Sequence, residues 1–447
     1  MLKENINEKL REYVKTSINP TSDERSFVSD IYNSFKPVLD NNCLQIGSFP
    51  RYTAIHPIHD LDILYILGNW TEKKMQSIDI LTELKNKIDE EYYNPTNFEL
   101  NISVQSHSVT IIYKGNGEEI FSVDIVPAYI YSTNNYDEDT YMVPEVLGYK
   151  HGIERSNYYE LLKEQYQKMK WINSDPRGYI QLARRLDLAT IDFRNTVKFI
   201  KGWKTSCKRK NDNFKLKSFH IEQIIVEYLI KKSRLLIFDL IFKFFVELPH
   251  LLEEPSIKDR ADNSKFIDDY IRNLTDEQKL LIKQARDCFL IKLENITPYS
   301  SIDEIINGCF YERVSDGEEF LFDYKIPVLI DKNVAFRIDG FVQKKVGFSS
   351  GWLRKTPQLQ KGLTKSADRK RYLDFQIISD TSDAEYHKWK VKNDNRCERH
   401  QRRGELTDYH TRNTPETTAF SGNHFVECFA IKYDTCIAKH KCNVKIL

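Results

Sequence analysis

The chain has 447 residues, with 66 lysines and arginines against 65 aspartates and glutamates, and 12% of its residues are aromatic. It contains only 16 glycines and 14 prolines. This composition excludes a mostly disordered, collagen-like or low-complexity protein, and the length predicts two or three domains.

The near-zero net charge hides an asymmetry along the chain. Residues 341–447 contain 21 lysines and arginines against 12 aspartates and glutamates, and five of the 11 histidines. A basic C-terminal region indicates either an anionic ligand, such as a nucleic acid, or simply a solvated basic surface.

Several features of the sequence predict a cytoplasmic protein. The first 17 residues carry a charge every few positions and include no apolar signal segment. The longest apolar stretch, Leu235–Val246, includes two charged residues and is too short to cross a bilayer. Eight scattered cysteines predict free thiols, because disulfides are rare in that compartment. The spacing of the C-terminal cysteines and histidines matches no compact zinc finger.

The first third of the chain reads as two helices followed by a mixture of strands and helix. A helix is predicted from Asn5 to Ser17, and Thr21 with Glu24 fits a capping box that opens the next helix. Further predicted elements are a strand at Cys43–Ile46, a strand at Leu61–Leu67, a helix at Glu72–Glu91, and a hairpin of residues 109–113 and 120–126 around the turn Lys114–Gly117.

The sequence pattern predicts helices in the middle of the chain and β-strands in its last third. Apolar residues at i, i+3 and i+4 predict helices at Tyr158–Trp171, Asp187–Lys204, Ser218–Lys232 and Thr275–Leu293. After about Ser300, short β-rich runs alternate with turns, and Lys361–Arg371 reads as an exposed basic linker.

An Asp-x-Asp pair opens one of the predicted strands. Asp60 and Asp62 point to the same face of a strand, while Leu61 points into the core. Adjacent carboxylates repel each other, so they require a cation or strong hydrogen bonds. Asp124, on a neighbouring strand, would complete a site for two Mg²⁺ ions, with Mn²⁺ as a possible substitute.

A Gly-Ser turn precedes this pair. Gly47 lets the backbone approach a phosphate closely, and the hydroxyl of Ser48 with exposed N–H groups can bind a triphosphate. Arg51 adds a positive charge to the same turn. The ordered set Gly-Ser-x-x-Arg-x-Thr, ending at Thr53 and followed by Asp-x-Asp, is more specific than either motif alone.

These motifs resemble the DNA polymerase β-like nucleotidyltransferase superfamily, and within it the bacterial CD-NTases of CBASS antiphage systems. The resemblance implies an α+β fold with a polymerase β-like nucleotidyltransferase palm, a helical second lobe and a β-rich, sandwich-like C-terminal domain. It implies the divisions 1–170 for the catalytic core, 171–310 for the helical lobe and 311–447 for the C-terminal domain. It also implies that Lys201 and Ser218 contact the nucleotide triphosphate.

The C-terminal segment resembles the AGS-C sensor domain that follows such cyclases. The resemblance rests on Trp389–Asn393, Arg403–Glu405 and Glu416–Cys428. The aromatic residues Trp389, Phe420 and Phe425 are expected to pack in a β-sandwich core. Arg403 and His424 are left open between a structural polar network and a ligand site.

The leading functional hypothesis is a metal-dependent nucleotidyltransferase that makes a cyclic or short oligonucleotide second messenger from NTPs in antiphage defence. Its partners would be a downstream effector, either soluble or membrane-bound, and a ligand of the C-terminal domain. One alternative is template-independent synthesis of linear RNA or DNA oligomers, with or without a protein primer. Another is a vestigial enzyme that acts as a nucleotide or nucleic-acid sensor. Protein AMPylation is disfavoured, because the antitoxin nucleotidyltransferases that perform it are much shorter.

Overall fold

The computed structural model describes residues 2–72, 76–146, 169–190, 192–232, 234–345, 349–355, 358–359, 371–408 and 415–446. Its architecture is α+β, with a mixed sheet, a helical lobe and a β-rich C-terminal part, which confirms the predicted fold class. None of the helices in these ranges is long and apolar enough to cross a membrane.

The N-terminal sheet has seven strands. Strands β1, β2, β5, β4 and β3 lie side by side in that order, and β6 joins the far half of β5 to β7. The elements of this region are α1 (Leu2–Tyr13), α2 (Ser22–Phe35), β1 (Cys43–Ile46), β2 (Asp60–Asn69), α3 (Ser77–Glu91), β3 (Glu99–Val104), β4 (Val109–Gly115), β5 (Glu118–Thr133), β6 (Asp139–Val146) and β7 (Met169–Ser174).

The predicted local signals of this region are largely confirmed. Thr21 and Glu24 form a reciprocal capping box at the start of α2, with each side chain bonded to the other residue's backbone N–H. The β4–β5 hairpin turns at residues 116–117, as predicted. The prediction of a helix at residues 158–171 is wrong at its C-terminal end, because Met169–Ser174 is a strand paired with β6. The other residues of that predicted helix lie outside the described residues.

One face of this sheet packs on α2 and α3. The core of the layer contains Phe35 from α2, Leu81 from α3, and Ile63, Ile111 and Val123 from three neighbouring strands. Alternate residues of β5 between Phe121 and Ile125 are buried, which leaves Ser122 and Asp124 on the opposite face. The sheet therefore presents its polar side chains away from α2 and α3.

The helical lobe surrounds a second core. It comprises α4 (Pro176–Ala189), α5 (Asp192–Lys210), α6 (Ser218–Lys231), α7 (Ile237–Leu251), α8 (Asp276–Leu293) and α9 (Ile302–Ile306). Residues Ile6, Leu10 and Val14 of the N-terminal region pack into this core beside Trp203 and Phe245. Helix α1 thus belongs by packing to the helical lobe, whereas the divisions at residues 170 and 310 stay predictions.

A disulfide in this lobe corrects the prediction of eight free thiols. Cys288 on α8 is bonded to Cys309, with Cα atoms 5.8 Å apart. After α8 the chain folds back through α9, and this return brings Cys309 beside the helix. Sequence spacing carries no information about such a return. The other six cysteines form no disulfide in the described part of the chain.

The C-terminal part contains two sheets. One has the order β10, β16, β15, β12, β13 and the other the order β14, β11, β8, β9. Their shared core includes Trp389, Phe375 and Val426. The strands are β8 (Phe336–Val342), β9 (Gly351–Trp352), β10 (Gln358–Leu359), β11 (Tyr372–Asp380), β12 (Tyr386–Lys392), β13 (Arg403–Thr407), β14 (Glu416–Thr417), β15 (Gly422–Lys432) and β16 (Thr435–Ile446). All of Lys361–Arg371 except Arg371 lies outside the described residues.

Candidate active site

The three predicted aspartates lie on two adjacent parallel strands. Asp62 of β2 is paired with Asp124 of β5, and Asp60 is paired with Ser122. Paired residues on neighbouring strands point to the same side of a sheet, and so do residues two apart on one strand. The register therefore brings all three carboxylates to the face of the sheet that α2 and α3 leave open.

The carboxylate of Asp62 lies against the Gly-Ser turn. Gly47 follows β1 directly and has a φ of +74°, a conformation that favours glycine. A Cβ atom at position 47 would overlap the Asp62 carboxylate. Burial, with the nearby charges of Asp60 and Asp124, raises the pKa of Asp62 to about 7. A carboxylate in this environment is suited to binding a cation.

Hydrogen bonds from two hydroxyl groups hold the carboxylate of Asp124. Its carboxylate accepts a hydrogen bond from the hydroxyl of Thr110 and another from Ser108 Oγ at 3.3 Å. Within the described residues, no three His, Cys, Asp or Glu side chains are close enough to ligate one ion together. The donor set of Asp60, Asp62 and Asp124 fits a hard divalent cation, and their assignment as metal ligands stays a prediction.

A buried carboxylate of α6, Glu222, anchors the loop that follows the Gly-Ser turn. Arg51 Nε donates to Glu222 Oε1 at 2.6 Å, and Thr53 Oγ1 donates to Glu222 Oε2 at 2.8 Å. The Thr53 backbone N–H donates to the Ser48 carbonyl at 3.0 Å, which closes the turn. Burial opposes ionisation of Glu222, but the charges of Arg51 and Lys201 outweigh it and lower its pKa. Arg51 and Thr53 therefore position the turn.

Lys201 joins the same buried cluster. Its Nζ donates to the backbone carbonyl of Thr53 at 3.0 Å and to Thr53 Oγ1 at 3.3 Å, and lies 3.5 Å from Glu222 Oε2. Ser218 is the first residue of α6, and its hydroxyl accepts a hydrogen bond from Lys204 Nζ at 3.0 Å. The two residues implied by the resemblance thus have different surroundings.

A cavity of about 670 Å³ brings most of these residues together. A larger cavity, of about 960 Å³, lies in the C-terminal part between β11 and β12. We take the smaller one as the candidate active site, because Asp60 and Asp62 line it, although Asp124 is not among its lining residues. Of the predicted site residues, it is lined by Gly47, Ser48, Arg51, Thr53, Asp60, Asp62, Lys201 and Ser218.

The cavity also contains side chains that the sequence analysis did not identify. Lys204 and Lys208 lie on the same helix as Lys201, and Tyr179 packs edge-on against Phe219 at 5.0 Å between ring centroids. Asp259 lines the wall near Tyr179. Helical spacing from Lys201 could have indicated the two lysines, whereas no local signal distinguishes Asp259, or Glu222 behind the wall.

The polar residues of the C-terminal domain form an internal network. Arg403 donates to Glu416 at 2.6 Å, which ties β13 to β14. His424 Nδ1 accepts from the Asp394 backbone N–H at 3.2 Å, and Nε2 lies 3.0 Å from the Phe420 carbonyl. Because these contacts are made within the protein, they favour a structural role for Arg403 and His424 over a role in binding a ligand.

The family model for the Adenylyl/Guanylyl and SMODS C-terminal sensor domain, AGS_C, matches residues 316–447. The chain is also similar to the cyclic AMP-AMP-AMP synthase of Escherichia coli (strain MS 115-1), with 26% identity over 184 residues. The similarity to the synthase covers 41% of this chain and spans about half, 48%, of the relative's length.

Two solved structures show a more distant similarity to this chain. The E. coli MS115-1 CdnC:HORMA-deltaN complex has 16% identity and a TM-score of 0.46, covering 68% of this chain and 95% of that one. The Elizabethkingia meningoseptica CdnE cyclic dinucleotide synthase with GTP and Apcpp has 12% identity and a TM-score of 0.37, covering 57% and 85%.

Proposed function

We propose that the protein is a metal-dependent nucleotidyltransferase that joins ATP, GTP or other NTPs into a cyclic or short oligonucleotide. The observation that carries the proposal is the parallel register of β2 and β5, which brings Asp60, Asp62 and Asp124 to one face beside the Gly47–Ser48 turn. The similarity to a cyclic AMP-AMP-AMP synthase supports the same class of product.

Each group of residues in and beside the cavity has its own role in the proposed reaction. Asp60, Asp62 and Asp124 would hold two Mg²⁺ ions, with Mn²⁺ as an alternative, and the bound ions would supply positive charge against the phosphates. Gly47 lets the backbone approach the triphosphate, and Ser48 contacts its oxygens. The hydroxyl of one nucleotide attacks the α-phosphate of the next, and pyrophosphate leaves.

The product acts as a second messenger in antiphage defence under this proposal. A downstream effector, either soluble or bound to a membrane, binds the oligonucleotide, and the AGS-C domain binds a ligand that controls the cyclase. The similarity to the cyclic AMP-AMP-AMP synthase and the match to the AGS_C sensor domain support this part.

Product analysis tests the chemistry. The purified protein is incubated with Mg²⁺ or Mn²⁺ and labelled ribo- and deoxyribonucleotide triphosphates, treated with phosphatase, and examined by mass spectrometry. A phosphatase-resistant cyclic product is expected. Label that stays on the protein would instead indicate a protein-primed linear polymer, and no turnover of any nucleotide would contradict both enzymatic hypotheses and favour a binding sensor.

The combined Asp60→Asn and Asp62→Asn change should lower product formation by roughly 1,000-fold or more, since it removes the charges that hold the ions. The fold should persist, because the change removes repulsion between neighbouring carboxylates. Asp30→Asn, an exposed acid on α2 outside the cavity, is the matched control and should leave activity unchanged.

A further inference from the structure

A disulfide joins helix α8 to the segment that follows α9. Cys288 of α8 is bonded to Cys309, at a sequence separation of 21 residues. Both cysteines are partly exposed to solvent. Exposed disulfides are reduced more readily than buried structural ones, and those found in reducing compartments are usually regulatory or catalytic. This bond is therefore open to exchange with a thiol in solution.

The residues just before Cys309, the 307–309 segment, pack tightly on helix α5. The Gly308 backbone N–H donates to Ser206 Oγ at 2.8 Å, and Ser206 Oγ donates to Asn307 Oδ1 at 3.3 Å. A Cβ atom at position 308 would come within 2.6 Å of the Cys207 backbone N, which is closer than real Cβ contacts. The 307–309 segment therefore lies against a single turn of α5 with no space between them.

The opposite side of this turn forms part of the wall of the active-site cavity. Lys204, Thr205 and Lys208 line the cavity. Helical geometry places these three residues on one face of α5, whereas Ser206 and Cys207 point to the other side, towards the 307–309 segment. A displacement of the segment can thus reach the cavity through one turn of helix.

Cys207 does not compete with Cys288 for Cys309. The Cys309 backbone N–H hydrogen-bonds to the sulfur of Cys207, but burial raises the pKa of the Cys207 thiol to about 12. A thiol that stays protonated is a poor nucleophile, so exchange at Cys309 involves Cys288 and a thiol from solution.

We propose that the Cys288–Cys309 disulfide is a redox-sensitive clamp that fixes the α5 wall of the active-site cavity, and that a small thiol such as glutathione releases it. One glutathione thiolate attacks one of the two sulfurs and displaces the other cysteine as a thiolate. A second glutathione thiolate attacks the mixed disulfide and releases the second cysteine. Two glutathione molecules become one oxidised glutathione, and their two thiol protons pass to the cysteines. Oxidised glutathione reverses the reaction.

The contacts that remain after reduction hold the segment less firmly. Lys292 Nζ of α8 donates to the carbonyls of Glu304 and Asn307 at 2.8 and 2.7 Å. Both hydrogen bonds are exposed to water, so each contributes little net stability. Reduction therefore leaves the lobe folded but lets the 307–309 segment move relative to α5.

Thiol titration and thermal melting test the clamp itself. Protein purified without reductant should have six titratable thiols when unfolded, and protein treated with reduced glutathione should have eight. Peptide mapping of the untreated protein should recover Cys288 linked to Cys309. Reduction should lower the melting temperature by roughly 5–10 °C, because the closed loop gains conformational freedom in the unfolded chain.

Hydrogen exchange followed by mass spectrometry tests the link to the cavity wall. Amides of residues 204–210 should exchange several-fold faster after reduction, while residues 195–199 in the other half of α5 serve as an internal control. The combined Cys288→Ser and Cys309→Ser change should give the faster exchange under all redox conditions. Cys397→Ser is the matched control: Cys397 is partly exposed, forms no disulfide in the described part of the chain, and its loss should leave the redox response intact.

Three results would each overturn the clamp: eight thiols without reductant, a disulfide that glutathione does not reduce, or equal exchange of residues 204–210 in the two redox states. Global unfolding on reduction would also overturn it, because the bond would then be purely structural.

The effect on catalysis rests on the proposed function, whereas the effect on the α5 wall needs no turnover. Reduced protein and the double serine variant should show a several-fold higher KM for NTPs with a smaller change in kcat. Equal KM values in the two redox states would refute control of the site and leave the enzyme standing. If neither form joins nucleotides, the proposed function fails, and the exchange experiment still decides whether the clamp exists.

Discussion

At the scale of single residues, Gly47 has the most restricted position in the candidate site. Its φ of +74° lies in the left-handed region, and the Asp62 carboxylate occupies the space that any Cβ would fill. The positive φ costs every L-residue a modest amount of conformational free energy. The overlap with an added Cβ, by contrast, would displace the carboxylate of a proposed metal ligand.

Gly47→Ala should therefore abolish nearly all product formation, with a loss of about 100-fold or more, because the Asp62 carboxylate must move. Initial rates with NTP substrates and Mg²⁺ measure the effect. Gly117→Ala is the matched control: Gly117 has a φ of +82° but nothing within 4 Å of an added Cβ. That control should cost about 1 kcal/mol of stability and leave the rate unchanged. Equal rates for both variants would contradict the role assigned to Gly47.

At the scale of elements, a single carboxylate joins the Gly-Ser loop to the helical lobe. Glu222 lies on α6, is fully buried, and contacts Arg51 and Thr53 from the loop and Lys201 from α5. The relative position of the sheet and the lobe at the cavity therefore depends on ion pairs shielded from water. Such ion pairs contribute little to net stability. Removing one member, however, leaves the partner charges buried and unpaired, which is costly.

Glu222→Gln should lower the free energy of unfolding by about 3–5 kcal/mol, since Arg51 and Lys201 lose their buried counter-charge. Urea unfolding followed by circular dichroism measures this change. Glu227→Gln on the same helix is the control, because Glu227 is half exposed and pairs only with the surface residue Lys231 among the described residues. That control should change stability by less than about 1 kcal/mol. A small effect at Glu222 would show that water or the other side chains compensate for its charge.

At the scale of the whole molecule, the AGS-C domain meets the helical lobe across a cavity of about 170 Å³ that is rich in charged groups. Glu294, directly after α8, reaches this cavity together with Lys390 and Lys439 of the C-terminal strands. Glu294 Oε1 is buried and has no hydrogen-bond partner among the described residues. Burial, opposed in part by Lys439, raises the pKa of Glu294 to about 7.

This shift makes the stability of the protein depend on pH. Because the pKa of Glu294 is higher in the folded than in the unfolded chain, the folded state binds more protons between about pH 4.5 and 7. Stability from this group is present below that window and is lost as the pH rises through it. The glutamine in Glu294→Gln does not titrate. The free energy of unfolding of this variant should therefore rise by about 2 kcal/mol relative to that of wild type as the pH goes from 5 to 8. Chemical unfolding at the two pH values measures the gain, with exposed Glu91→Gln as the control. A gain independent of pH would contradict the prediction.

Local patterns sufficed for much of the fold, and they supplied the Gly-Ser turn and the Asp-x-Asp pair among the residues predicted for the site. The capping box at Thr21 and Glu24, the β4–β5 hairpin and the helix that opens at Ser218 follow from neighbouring residues and were predicted. The Gly47–Ser48 turn and the Asp60–Asp62 pair were recognisable for the same reason, since their residue types and short spacing reflect chemistry within one turn and one strand.

Contacts between distant segments were decided only by the tertiary structure. Glu222 meets Arg51 across 171 residues of sequence, and Cys309 meets Cys288 because the chain reverses through α9. Lys201 and Lys204 look alike in the sequence and both line the cavity, yet Lys201 contacts Thr53 and Glu222, whereas Lys204 donates to Ser218. Sequence patterns reveal which side chains share a turn or a face, but the partners of a charge depend on how separate elements pack, because those elements are distant in the sequence.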